Sequence, residues 1–111
     1  MALVVAETSI GTGTTSAGAV TINALSGYIT TQALTTAAGA TFDIDMTNSK
    51  ISTNDIVVCN VFRASCSAGE PVITTVFVLG TSCAIRIQNI HAANAFNGTL
   101  IIGFFVIKGS H

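Results

Sequence analysis

The chain has 111 residues, half of them apolar, with only 8% charged and a formal net charge of −1. That length suits one domain with a modest core, and so little charge provides no field to steer the protein toward phosphate, nucleic acid or an anionic membrane surface. The longest apolar run, LIIGFFVI at 100–107, is interrupted by Gly103 and is too short for a spanning helix, which needs about 20 apolar residues.

The opening segment, MALVVAETSIGTG, has a brief apolar patch with no Lys or Arg before it and Glu7 directly after, a poor secretion signal. Residues 8–19, TSIGTGTTSAGA, offer almost nothing to bury, so 1–19 reads as an extended arm or a short first strand. Within it, GTGTTSAG does not follow a strand and open a helix with a Lys, so it is not a phosphate loop.

From residue 20 onward the pattern has period two. VTINA at 20–24 sets Val20, Ile22 and Ala24 on one face. GYITTQAL at 27–34 alternates Tyr28, Thr30, Gln32 and Leu34 with Ile29, Thr31 and Ala33. TFDIDMT at 41–47 turns Phe42, Ile44 and Met46 one way and Asp43 and Asp45 the other, the mark of a half-buried strand. DIVVCNVFR, PVITTVFVL and CAIRIQNI follow, the last with Cys83, Ile85 and Ile87 opposed to Arg86 and Gln88. TLIIGFFVI closes the set, and TNSKISTN, SAGE, LGTS and HAANAFNG read as turns or loops between strands. Val, Ile, Thr and Phe dominate, helix signals are weak, and the spacing predicts six to eight strands. The expectation is an all-β domain over 20–108, an antiparallel β-sandwich or jelly roll with an N-terminal arm. The terminal GSH at 109–111 reads as the remnant of an expression tag.

Raw material for chemistry is scarce. Asp43 and Asp45 form a D-x-D on a strand face, without the further oxygen ligands that calcium takes. His91 is the one histidine besides His111, and with scattered cysteines it makes no zinc set; it reads as a hydrogen-bonding loop or interface residue. There is no G-x-S-x-G, and one histidine with few charges is thin support for acid–base catalysis, so neither an enzyme nor a cofactor is expected. Asn97-Gly98-Thr99 matches a glycosylation sequon but reads better as a tight turn before the last strand. The Thr pairs at 30–31 and 35–36 are spaced by an odd number and would not share an ice-binding face. With no Trp and one Tyr, Tyr28, sugar-stacking platforms are few. The three cysteines, Cys59, Cys66 and Cys83, contain no C-x-x-C; free thiols are expected, with a Cys66–Cys83 pair left open.

The positive signal is the last strand. Leu100, Ile102, Phe104 and Val106 point one way, and Ile101, Phe105 and Ile107 the other. A strand exposed on one side should alternate apolar with polar. Both sides here are apolar, so one packs in the core and the other is expected to meet a second subunit, as in a cyclic trimer. All seven residues are therefore candidates for an oligomer interface. A surface poor in charge and built from Thr, Ser, Asn and Gly agrees, because it is weakly defended against self-association.

Three stretches, ITTQALTTAAGATFDIDMTNSKI, DIVVCNVF and IRIQNIHAANAFNGTLIIGFFVIK, together resemble small virion proteins of tailed phages. In that pattern ALTTAAGATFxxxxTNS precedes a closing IRNxHAxxALNGTLxIGFxVI, with Leu where this chain has Phe96. The resemblance spans residues 22–108. It implies a structural protein of the particle, made in the host bacterial cytoplasm, with trimeric β-sandwich decoration (cement) proteins closest in size. The implied partners are further copies of the chain, as a homotrimer, and the major capsid protein or another virion protein, with no nucleic acid and no membrane. The alternatives are a tail or head-fibre module that binds a host-surface glycan or receptor, and a self-assembling shell or fibre subunit.

Overall fold

The computed structural model describes residues 10–109, which form eight strands and no helix. They are β1 (Gly11–Thr14), β2 (Ala19–Thr21), β3 (Ser26–Thr30), β4 (Thr41–Thr47), β5 (Ile56–Arg63), β6 (Pro71–Val78), β7 (Ser82–Asn89) and β8 (Leu100–Ile107). Sheet A has the order β1-β3-β8-β5 and sheet B the order β2-β4-β7-β6. The all-β sandwich expected from the alternation is what forms.

From β1 to β6 the chain changes sheet at every connection. Two such reversals return it to the same sheet in the same direction. This is why β1 pairs with β3 in parallel, and β2 with β4 likewise. The remaining pairs are antiparallel, so each sheet is antiparallel with one parallel pair at its edge, rather than antiparallel throughout. Among the described residues β6 and β7 are the only consecutive strands paired in one sheet, a hairpin closed by Leu79 N–H donating to Ser82 O, with Gly80 at φ 73 supplying the left-handed turn residue.

The core lies between the sheets. Ile29, Leu100, Ile102 and Phe104 of sheet A meet Ile44, Met46, Cys83, Ile85 and Ile87 of sheet B. Val20, Ile22, Ala24, Leu34, Ile51 and Phe96 close its ends. Burial of each large side chain contributes about 1.5–3 kcal/mol before entropy is counted. The faces read from TFDIDMT and CAIRIQNI are those observed, with Ile44, Met46, Ile85 and Ile87 buried and Asp43, Asp45 and Arg86 exposed.

Of the arm and the short first strand read over 1–19, residues 11–14 form a strand, β1 of sheet A, and 1–9 lie outside the described residues. A Cβ on Gly13 would fall 2.7 Å from Val20 Cγ2, so it is the missing side chain that lets β1 lie against the core. The strand expected over 27–34 stops at Thr30. Beyond it Gln32 turns to cap the β1–β2 connection, where its Oε1 accepts from Thr15 Oγ1 and Gly18 N–H. Finally, Asn97-Gly98 is not a hairpin turn, because β7 and β8 lie in different sheets. Asn97 Oδ1 instead accepts from the Ser67 and Ala68 N–H groups, and Gly98 packs on the Ser65–Cys66 backbone, where a Cβ would come 2.8 Å from Cys66 N.

Past β8 the chain is latched by Asp55, whose side chain is closed off from solvent. It accepts from Lys108 Nζ at 2.6 Å, from Gly109 N–H at 2.8 Å and from Ser52 N–H at 2.8 Å. Burial pushes this carboxyl up, but the three donors outweigh it and hold it down at about 2, against an ordinary 3.8. A carboxyl with a depressed folded-state pKa stabilises the fold above its unfolded pKa, and that contribution fades as pH falls through the folded value. Lys108 is half exposed, so solvent screens part of the effect, leaving on the order of 1–2 kcal/mol. Denaturant midpoints should therefore drop as pH is lowered from about 4 to about 2, and Asp55→Asn should flatten that part of the drop. An unchanged slope in the variant would show that the latch contributes nothing.

Candidate functional site

The outer face of sheet A is built in rows by the strand register. Thr30, Ile101 and Phe62 form one row, and Tyr28, Gly103 and Asn60 the next. Ser26, Phe105 and Val58 form the third, and Ile107 and Ile56 the last. Because side chains alternate across a strand, all of these point away from the core. Ile56 is 59% exposed, Tyr28 48% and Phe62 43%, and Val58, Phe105 and Ile107 are exposed as well. Thr12 and Thr14 of β1 complete the face, and none of its residues is charged. Gly103, at its centre, leaves an open groove of about 450 Å³ walled by Tyr28, Val58, Asn60, Phe62 and Phe105, with Ile10 at one end.

The outer face of sheet B has the opposite character. β4 presents Thr41, Asp43, Asp45 and Thr47, and β7 presents Ser82, Ala84, Arg86 and Gln88. Asp43 and Arg86 stand opposite one another and form a two-pronged ion pair, Nε–Oδ1 2.8 Å and Nη2–Oδ2 3.1 Å. The hydrogen bond from Arg86 holds the Asp43 carboxyl below its ordinary range. Both side chains are more than half exposed, so this pair orders the surface more than it stabilises it. Of the exposed apolar residues of this sheet, Val72, Phe77 and Leu79 belong to its edge strand β6 or follow it directly, and Ile90 follows β7.

The seven residues singled out in the last strand divide between two environments. Leu100, Ile102 and Phe104 point into the sandwich and are closed to solvent, and Val106 packs against the core from its rim. They are core, so an interface on this strand is left to Ile101, Phe105 and Ile107. Tyr28, Ile56, Val58 and Phe62 share that face without having been singled out. The signal for three of them is in DIVVCNVFR, which is apolar on both sides just as the last strand is.

The remaining candidates are structural. All three cysteines are free, Cys66 and Cys83 buried and Cys59 half-buried. Burial pushes the Cys59 thiol up to about 12 and the Cys83 thiol up to about 11, which keeps both un-ionised and poor nucleophiles. His91 Nδ1 accepts from the Ala93 and Asn94 N–H groups, so it shapes its own loop. Among the described residues no three His, Cys, Asp or Glu side chains converge as a metal site. No protein-family model matches the chain, and no curated protein or solved structure is detectably similar to it.

Proposed function

We propose that this chain is a non-enzymatic structural subunit of a tailed-phage particle that trimerises and decorates the capsid, stabilising the shell. The observation that supports self-assembly is the contrast between the two sheets. One outer face carries the Asp43–Arg86 ion pair and has exposed apolar side chains only along its β6 edge; the other is largely apolar over three adjacent strands and uncharged. Contiguous apolar faces of this kind mark interaction surfaces, since water gains nothing by wetting them. A second copy is suited to cover it because the face carries no charge that would repel its own kind. The phage setting rests on the resemblance of residues 22–108 to small virion proteins.

One observation favours the alternative of a fibre module that binds a host-surface glycan. Tyr28 and Asn60 flank Gly103 across the groove, an aromatic ring and an amide facing a shallow dent. The two readings part in a binding experiment. Purified protein should add saturably to undecorated, expanded capsids, and sedimentation should give a mass that is a multiple of three chains. Adsorption to host cells but not to capsids would favour the fibre module, and a stable monomer at micromolar concentration would defeat the assembly reading.

A further inference from the structure

β5 is an edge strand of sheet A, and it lacks what guards the other edges. β1 has four residues, half of them glycine; β2 has three; β6 opens on Pro71 and is irregular between Ile73 and Thr75. Short length, proline and bulges all spoil an edge for further pairing. β5 runs eight residues in unbroken register with β8, without proline or glycine, and carries no charge before Arg63. Ala64 N–H donates to Thr99 O, which sets the phase of the ladder. By alternation Ile56, Val58, Asn60 and Phe62 bond to β8, while the N–H and C=O groups of Val57, Cys59 and Val61 point outward. Among the described residues no strand pairs with that side.

We infer that β5 pairs antiparallel with β5 of a second copy, joining two four-stranded sheets edge to edge. Only an extended main chain presents N–H and C=O groups at the spacing this edge offers. A two-fold ladder centred on Cys59 sets Val57 against Val61, Val58 against Asn60, and Ile56 against Phe62. It opposes no like charges; Asp55, which falls level with Arg63 of the second copy, keeps its buried pair with Lys108 and takes no part. A parallel, in-register pairing would set Arg63 against Arg63. The two-fold ladder also continues the uncharged outer face from one copy to the next, since Ile56, Val58 and Phe62 stand at its rim. The contact is isologous and closes on itself. Added to trimers, it links neighbouring trimers across two-fold axes; only this last step rests on the trimer proposed above.

Val61→Pro removes one outward N–H and leaves the β8 ladder intact, because proline is tolerated where a strand's N–H faces outward. Light scattering on four proteins reads both contacts at once. The unaltered chain should run as paired trimers at high concentration, Val61→Pro as a trimer, Phe105→Asp as a pair, and the double variant as a single chain. Val61→Pro with the mass of the unaltered chain would overturn the edge pairing, and so would Phe105→Asp running as a single chain. If Phe105→Asp leaves the mass unchanged while Val61→Pro halves it, the edge pairing stands and the trimer reading fails. Should Val61→Pro not fold, amide exchange of the unaltered chain decides. Slow exchange at Val57, Cys59 and Val61 that strengthens with concentration supports the pairing; fast exchange in the assembled protein overturns it.

Discussion

Asn89→Ala should cost the fold about 3–5 kcal/mol, read as a fall in the denaturant midpoint. Asn89 is fully buried at the end of β7 and uses its whole amide. Its Oδ1 accepts from Glu70 N–H at 3.0 Å and His91 N–H at 3.1 Å, and its Nδ2 donates to Thr36 O at 3.2 Å and Asn94 O at 2.9 Å. Its main chain adds bonds to Ala40 O and from Gly39 N–H. One side chain thus ties three loops to one strand end. Alanine would strand two donors and two acceptors, and an unmet buried group costs more than a net hydrogen bond gains. Asn89→Asp keeps both acceptances but loses both donations and buries a charge, so it should also destabilise the fold. A loss below about 1 kcal/mol for the alanine variant would mean that water reaches these loops and replaces the amide.

That hub shows where sequence reading stops. The strands at 41–47, 56–63, 71–78, 82–89 and 100–107 are legible because apolar and polar residues alternate, or apolar runs are bounded by turn residues. The hub is not, because Asn89 and Thr36 are 53 residues apart and nothing local in HAANAFNG or QNI announces their bond. Gln32 looked like a strand residue for the same reason; its partners Thr15 and Gly18 lie across a crossover that only the topology creates. β1 was legible only as an arm or a short first strand, because GTGT has no apolar residue to alternate and packs through the absence of side chains. The apolar face was half legible. The two-sided strand at 100–107 announced it, but the pairing partners that complete it, Tyr28 on one side and Val58 and Phe62 on the other, depend on strand order.

Phe105→Asp should dissolve the proposed trimer and leave each subunit folded. Phe105 is 36% exposed on the outer face, in register with Ser26 on β3 and Val58 on β5. In a free subunit a carboxylate there keeps its water, and the core loses nothing. In an assembly that covers this face it would be buried with no cation beside it, because the face carries none, and such burial costs several kcal/mol per copy. Phe104→Asp, one residue earlier, is the contrast. Phe104 is 4% exposed and points between the sheets, so a charge there should lower the unfolding midpoint or prevent folding. The pair of variants separates surface from core within one strand: position 105 should lower the mass of a chain that still folds, and position 104 should impair folding itself. An unchanged mass for Phe105→Asp would show that no copy covers this face. Salt gives an independent check. An interface without charges is not weakened by screening, so raising sodium chloride should leave the proposed trimer in place, and sulfate should strengthen it. Dissociation in moderate salt would instead assign the contact to the few charged groups elsewhere, such as Asp43 and Arg86 on the opposite sheet.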